Sequence, residues 1–205
     1  PVSLVGFSMG GGEVARFLTR QGTDRVRKAA LIGSVVPYML QTDDNPNGVP
    51  QSQFDYMTEE MEKDRADFFQ STFFKQFFGV GFISQPVSSA AMMNAWRQAM
   101  MAGLRPTLAA AKAFATTDFR PDLKSFDGVP TLVIHGTSDK TVPIEATGRI
   151  VAERVPDARL IEYEGSPHGL FETDKRRLAA DLLEFLGSGR DGAGSRSAIP
   201  LSETA

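Results

Sequence analysis

The sequence predicts an α/β fold in which a mostly parallel sheet is joined by crossover helices. Apolar runs typical of buried strands occupy residues 2–6, 29–35, 130–135 and 158–163, and helical patterns alternate with them. The first helical pattern spaces Val14, Phe17 and Leu18 on one face, and the last spaces Leu178, Leu182, Phe185 and Leu186 on one face before Gly187. We therefore expect both of these helices to pack on the sheet.

A G-x-S-x-G pattern, Gly6-Phe7-Ser8-Met9-Gly10, lies between the first strand and the first helix. A tight strand-to-helix turn would expose the Ser8 hydroxyl, and small residues at Gly6 and Gly10 would relieve crowding around it. The Met9 N–H at the helix start would point toward a developing oxyanion. Ser8 is therefore a candidate nucleophile, the alternative being a glycine-rich turn with an idle serine.

A serine nucleophile needs a general base and an orienting acid, which in this topology follow in the order acid, then histidine. His168 lies in a loop, residues 165–169, after the last predicted strand, and is the candidate base. Asp139 follows the strand at 130–135 and is the candidate acid, although a turn aspartate is the simpler alternative for it alone. His135 ends that strand, and we expect it to be a packed or hydrogen-bonding neighbour rather than the base.

The predicted core comprises residues 1–36 and 120–187, and a long insertion at 37–119 separates its second and third strands. Apolar residues at helical spacing predict that the insertion is a helical cap. They form one stripe of Phe69, Phe73 and Phe77, widened by Phe68, Phe74 and Phe78, and another of Met92, Trp96 and Met100, with Met93 and Met101 beside it. Each residue either packs in the cap's own core or lines an apolar acyl or aryl pocket above Ser8. Residues 188–205 lack apolar periodicity and are predicted to be a disordered tail.

Composition narrows the possible partners. A net charge of −3 and a pI near 5.5 give no basic footprint for nucleic acid or an anionic membrane. No apolar run approaches the ~20 residues of a membrane span. The chain has no cysteine, which excludes disulfides, thiolate metal sites and a cysteine nucleophile. We expect a small-molecule ester substrate and a cytoplasmic location; a homo-oligomer and an upstream signal peptide stay open.

Three segments together resemble the α/β-hydrolase superfamily, most closely its cofactor-free haloperoxidase (non-haem chloroperoxidase) and aryl esterase branch. They are GFSMGGGEVARF at 6–17, LVIHGTSDKTVP at 132–143 and GSPHGL at 165–170. The resemblance implies that Ser8 is the nucleophile, His168 the base and Asp139 the acid, with the Met9 N–H as half of the oxyanion hole. It further implies ester hydrolysis through an acyl-enzyme without cofactor or metal, and peracid formation where peroxide replaces water.

The sequence departs from that family at its start. Family members carry several strands and an oxyanion loop before the strand-to-helix turn that bears the nucleophile, called the nucleophile elbow. This chain instead begins at Pro1, directly before that strand. We therefore expect an N-terminally truncated chain, whose second oxyanion donor lies outside these residues and whose first strand has an unpaired edge. A non-catalytic lobe that binds a partner is the main alternative. Within the hydrolase class, a lactonase or a C–C bond hydrolase would use the same three residues.

Overall fold

Four parallel strands form the central sheet in the computed structural model, which describes residues 1–187. They are β1 (Val2–Phe7), β2 (Val26–Ile32), β3 (Thr131–Gly136) and β4 (Arg159–Tyr163), and they lie in the order β1-β2-β3-β4. Each neighbouring pair is parallel. The predicted α/β class and the parallel sheet are therefore confirmed.

The second strand lies three residues earlier than the sequence predicted. The polar pair Arg27-Lys28 concealed its start, because a buried lysine is uncommon in a central strand. Lys28 is nevertheless only 3% exposed, and its ammonium donates to the backbone carbonyl of Phe185 while lying 5.0 Å from that ring's centroid. The strand ends at Ile32 because Gly33 turns the chain with a φ of +49°.

Helices cover both faces of the sheet. On one face α1 (Met9–Gln21) and α6 (Gly148–Arg154) bury Val14, Leu18 and Val151. On the other, α7 (Leu170–Thr173) and α8 (Lys175–Gly187) bury Leu170 and Leu178, with the predicted Leu182 and Phe185 packed at the margin. The expectation that both terminal helices pack on the sheet is met.

The prediction for Phe17 is wrong. Its ring is 38% exposed and lines a surface groove beside Leu4 and Val5. Within residues 1–187, β1 pairs only with β2, so the expected free edge is present. Val2 and Val5 of the same strand are 56% and 47% exposed.

The insertion between β2 and β3 is helical, as expected. Its helices are α2 (Gln51–Asp67), a π-helical segment (Phe68–Phe73), α3 (Phe74–Phe77), α4 (Ser89–Met100) and α5 (Leu104–Thr116). A 3₁₀ segment, Arg120–Phe126, then leads to β3. The division into a core and a cap at residues 37–119 stays a prediction.

The two ends of the insertion are tied together where they leave the sheet. The Phe119 N–H donates to the Pro37 carbonyl at 2.8 Å. The Arg120 guanidinium pairs with the Asp44 carboxylate at 2.7 Å and lies 4.7 Å from the Tyr38 ring centroid. These contacts hold the two ends of the insertion together at the point from which its helices extend over Ser8.

No helix within residues 1–187 is long and apolar enough to cross a membrane. The predicted tail at 188–205 lies outside the described residues.

Candidate active site

Ser8 sits on the sharp turn between β1 and α1. Its φ of 54° and ψ of −121° place a non-glycine residue in a conformation that costs about 1 to 3 kcal/mol. The turn is held by the Ser8 N–H, which donates to the Ile32 carbonyl at 2.9 Å, and by the Gly11 N–H, which donates to the Ser8 carbonyl at 3.0 Å. The strained backbone is therefore anchored on both sides, as a serine elbow requires.

The glycines around Ser8 are not equivalent. A Cβ on Gly6 would lie 2.4 Å from the Gly10 carbonyl oxygen, so a side chain there would force the turn open. A Cβ on Gly10 would meet nothing within 4 Å, so the prediction that Gly10 relieves crowding is wrong for the described residues. Gly11 takes that part instead, because its Cβ would overlap the Ser34 hydroxyl at 2.0 Å. The close approach therefore comes from the first turn of α1 packing on the end of β2.

His168 is presented by the loop after β4 and is 1% exposed. Its Nε2 lies 2.9 Å from the Ser8 hydroxyl oxygen. The Phe7 and Phe77 rings each lie 4.9 Å from the imidazole, centroid to centroid, and the adjacent Gly169 N–H donates to the Phe77 carbonyl at 2.7 Å. The imidazole is thus held in an apolar aromatic setting with one nitrogen on Ser8.

Asp139 completes the chain of hydrogen bonds behind His168. One carboxylate oxygen accepts from His168 Nδ1 at 2.6 Å, and the other accepts from the backbone N–H groups of Thr141 and Val142 at 2.9 and 2.8 Å. Burial alone would raise the pKa of Asp139, but hydrogen bonds from His135 and His168 outweigh it and lower the pKa to about 2. The carboxylate is therefore ionised across the neutral range and fixes the proton of His168 on Nδ1.

His135 lies behind the acid, not beside the serine. It is fully buried, and its Nε2–H is shared between the Val142 carbonyl at 2.9 Å and the Asp139 oxygen that faces His168 at 3.4 Å. Its Nδ1 has no hydrogen-bond partner among residues 1–187. A Cβ on Gly148 would lie 2.7 Å from Nδ1, so α6 approaches the ring closely. This is the packed, hydrogen-bonding neighbour that the sequence predicted.

Met9 is the first residue of α1, immediately after Ser8. Its N–H has no carbonyl one turn earlier in the helix to bind, and the helix dipole adds partial positive charge at this end. These features suit a donor to an oxyanion formed at Ser8. The second donor stays a prediction, as does its location upstream. Within residues 1–187, no three His, Asp or Glu side chains are grouped to hold a metal ion.

An apolar cavity of about 190 Å³ opens beside Ser8 and His168, beneath the helices of the insertion. Its apolar walls are Met9, Met57, Met61, Phe68, Phe69, Phe73, Phe77, Ala110, Ala111 and Phe114, and Thr107 and Thr141 also line it. A larger cavity, about 430 Å³, lies between α2 and α5 but contains neither Ser8 nor His168. The smaller one is therefore the candidate substrate site.

The structure sorts the predicted stripes between this cavity and the interior of the insertion. The stripe of Phe69, Phe73 and Phe77 lines the cavity together with Phe68. Phe74 and Phe78 do not line the cavity and form a buried cluster with Val87, against which Phe69, Phe73 and Phe77 pack from one set and Met92 and Trp96 from the other. Trp96 donates to the Ala66 carbonyl at 2.9 Å, while Met93 and Met101 are 38% and 86% exposed. The methionine and tryptophan stripe therefore supports the insertion and does not line the cavity.

Sequence reasoning missed seven cavity residues: Met57, Met61, Thr107, Ala110, Ala111, Phe114 and Thr141. Met57 and Met61 lie one turn apart on α2, a spacing that could have indicated a lining face. Phe114 on α5 and Thr141 after β3 carried no comparable signal, because their positions depend on how the insertion folds over the sheet.

A family model described as "alpha/beta hydrolase fold" matches residues 1–175. The chain is 42% identical to "Non-heme chloroperoxidase CPO-A1" of Kitasatospora aureofaciens, over 90% of this chain and 67% of that protein. It is 40% identical to "Bifunctional esterase/perhydrolase DCH" of Acinetobacter calcoaceticus, over 90% of this chain and 66% of that protein. This chain thus spans about two thirds of the length of these relatives.

Solved structures agree with the sequence relatives. A bromoperoxidase from Bacillus anthracis superposes with a TM-score of 0.87 at 40% identity, over 91% of this chain and 67% of that one. An esterase from Exiguobacterium antarcticum gives a TM-score of 0.83 at 28% identity, over 91% of this chain and 67% of that one. The expected resemblance is confirmed, and the relatives are named as enzymes of hydrolase type. This chain belongs to the α/β-hydrolase family.

Proposed function

We propose that the protein is a serine hydrolase of carboxylic esters that works through an acyl-enzyme on Ser8. The proposal rests on two hydrogen bonds that connect Ser8, His168 and Asp139. Ser8 Oγ lies 2.9 Å from His168 Nε2, and His168 Nδ1 lies 2.6 Å from an Asp139 carboxylate oxygen. A serine hydroxyl is a weak nucleophile unless an adjacent base takes its proton, and this geometry supplies such a base with its tautomer fixed.

In the proposed reaction, His168 Nε2 takes the hydroxyl proton while Ser8 Oγ bonds to the ester carbonyl carbon. The oxygen that becomes negative is stabilised by the Met9 N–H. Collapse of the tetrahedral intermediate breaks the ester bond, and the departing alcohol takes the proton from His168. Water then repeats the sequence on the acyl-enzyme and releases the acid, while Asp139 stays ionised throughout.

The cavity beside Ser8 favours a compact apolar acyl or aryl group. Its walls are mostly aromatic rings and methionine thioethers, and its volume is about 190 Å³. An apolar cavity of ~150 Å³ is large enough to hold a benzene ring. One aryl ring or a short acyl chain therefore fits.

Perhydrolysis is a second candidate activity, favoured by the names "Bifunctional esterase/perhydrolase DCH" and "Non-heme chloroperoxidase CPO-A1" of two relatives at 40% and 42% identity. Hydrogen peroxide would replace water at the acyl-enzyme, so that its oxygen bonds to the acyl carbon, Ser8 leaves with a proton, and a peracid is released. The peracid would then transfer its outer oxygen to a halide ion in solution, which gives the carboxylate and a hypohalous acid. Bromination of monochlorodimedone with peroxide, bromide and an acetate ester as acyl donor should therefore require Ser8.

Ester turnover in a set of single variants tests the proposal. Ser8→Ala and His168→Ala should each lower kcat for 4-nitrophenyl butanoate by at least about 10⁴-fold. Ser52→Ala, which removes an exposed hydroxyl on α2, is the matched control and should retain full turnover. His135→Ala should keep most activity in the folded fraction, since His135 does not touch Ser8.

Each contrary result identifies an alternative. Full turnover by the Ser8 variant would remove Ser8 as nucleophile, and a greater loss in the His135 variant would exchange the two histidines. If the wild-type protein is folded but hydrolyses no ester, the alternative of a non-catalytic lobe that binds a partner would be favoured. A lactonase or C–C bond hydrolase would still need Ser8 but would prefer a cyclic ester or a diketone in the same assay.

A further inference from the structure

The cavity beside Ser8 has three hydroxyl-bearing side chains in its wall, and two of them are already engaged. Ser8 lies on His168 at 2.9 Å. The Thr107 hydroxyl donates to the Gly103 carbonyl at 2.8 Å and lies 3.4 Å from an Arg65 guanidinium nitrogen. Thr141 differs, because its hydroxyl oxygen is buried and has no hydrogen-bond partner within residues 1–187.

A buried hydroxyl without a partner is unfavourable, and a valine of the same shape would avoid the cost. Thr141 is also firmly held: its backbone N–H donates to Asp139 at 2.9 Å, and the next residue, Val142, donates to the same oxygen at 2.8 Å. These bonds fix the backbone of Thr141 relative to His168, and rotation about its Cα–Cβ bond can bring the buried hydroxyl toward the cavity that the residue lines. An unpaired hydroxyl on a fixed backbone can bind a ligand atom for the cost of that one rotation.

We propose that the Thr141 hydroxyl hydrogen-bonds a second oxygen of the substrate, so that the site prefers esters with an ether, carbonyl or hydroxyl oxygen near the scissile group. The inference rests on ester hydrolysis at Ser8 and names its substrate class. The remaining walls are apolar, so a substrate oxygen in the cavity finds few other partners. A hydrocarbon substrate leaves Thr141 unpaired, whereas an oxygen-bearing one satisfies it.

Paired substrates of equal size test this preference. On the acyl side, 4-nitrophenyl methoxyacetate differs from 4-nitrophenyl butanoate by one oxygen in place of a methylene. On the alcohol side, 2-ethoxyethyl acetate differs from pentyl acetate in the same way. Comparing the kcat/KM ratio within each pair between wild type and variant cancels the intrinsic reactivity of the substrates.

Thr141→Val removes the hydroxyl but keeps the shape and the backbone N–H that holds Asp139. It should lower kcat/KM for the oxygen-bearing member of one pair by about five- to tenfold, the worth of one neutral hydrogen bond. Turnover of the hydrocarbon member should stay within about twofold or rise. Thr141→Ser, which keeps the hydroxyl, should retain the wild-type ratio. Thr107→Val is the matched control. It should change kcat/KM for both substrates of a pair by the same factor, so that their ratio stays at the wild-type value.

Equal effects of Thr141→Val on both members of both pairs would overturn the inference and leave ester hydrolysis intact, provided that Ser8→Ala abolishes turnover of butanoate. If Thr141→Val does not fold, Thr141→Ala against Thr141→Ser gives the same comparison. If the wild type hydrolyses none of the four esters, the proposed function fails and this inference fails with it.

Discussion

Replacing Asp139 by asparagine exchanges one carboxylate oxygen for an NH₂ group and should reverse the polarity of the hydrogen bond to His168. One Asp139 oxygen accepts two backbone N–H groups, at 2.9 Å from Thr141 and 2.8 Å from Val142, and the other accepts from His168 at 2.6 Å. The asparagine oxygen keeps the two backbone bonds only if its NH₂ faces His168. The opposite orientation loses both, at about 0.5 to 1.5 kcal/mol each.

The favoured orientation makes the NH₂ a donor to His168 Nδ1, so the ring proton moves to Nε2. That nitrogen then cannot take the Ser8 proton, although every heavy atom stays in place. In Ser-His-Asp enzymes this wrong tautomer costs about 10⁴-fold in kcat. The equivalent barrier is about 5.4 kcal/mol, since each tenfold is 1.36 kcal/mol.

Steady-state hydrolysis of 4-nitrophenyl butanoate at pH 7.5 measures the effect. Asp139→Asn should lose about 10⁴-fold in kcat with a KM within about threefold, because the cavity is unchanged. Asp43→Asn, at an exposed carboxylate, is the matched control and should behave as wild type. A kcat for Asp139→Asn within tenfold of wild type would refute the assignment of Asp139 as the orienting acid.

Three further predictions concern stability and the elbow. Because the pKa of Asp139 in the folded protein is about 2, against an ordinary value of 3.8, ionisation of Asp139 stabilises the fold by about 2 to 3 kcal/mol above pH 5. That contribution declines as pH falls toward 2; urea unfolding from pH 6 to 3 should show a shallower decline in Asp139→Asn, and parallel curves would contradict the low pKa. His135→Ala should lower the free energy of unfolding by about 2 to 4 kcal/mol in urea, because it opens a cavity and unpairs the Val142 carbonyl; a loss under 1 kcal/mol would mean that the ring is not packed as described. Gly6→Ala should abolish ester turnover because its Cβ would lie 2.4 Å from the Gly10 carbonyl, whereas Gly10→Ala, with open space, should retain it; equal turnover in the two variants would contradict the elbow geometry.

The three residues of the relay could be predicted from sequence because their signals are local. Ser8, Asp139 and His168 each follow an apolar run that proved to be a strand, and the carboxyl ends of parallel strands meet at one edge of the sheet. Their order in the chain then sufficed to suggest their contacts. Distances and hydrogen-bond polarity needed the structure.

The insertion could be predicted as helical but not oriented. The periodic pattern did not distinguish which of Phe73 and Phe74 would line the cavity. In the structure, Phe73 lines it and Phe74 is buried in the interior of the insertion. Which face meets the sheet depends on contacts between residues far apart in sequence, which a periodic pattern does not encode. Thr141 shows the same limit, because an uncommitted hydroxyl is recognised only when its neighbours are known. Lys28 misled the placement of β2 since its burial depends on a carbonyl 157 residues away.

Labelling with a fluorophosphonate probe, which reacts only with activated serines, tests the central claim most directly. The chain should be labelled in wild type, with the added mass on the peptide that contains Ser8. Labelling should be lost in both Ser8→Ala and His168→Ala. A probe that reacts at another serine, or that labels Ser8 equally well in His168→Ala, would contradict the claim that His168 activates Ser8 as the nucleophile.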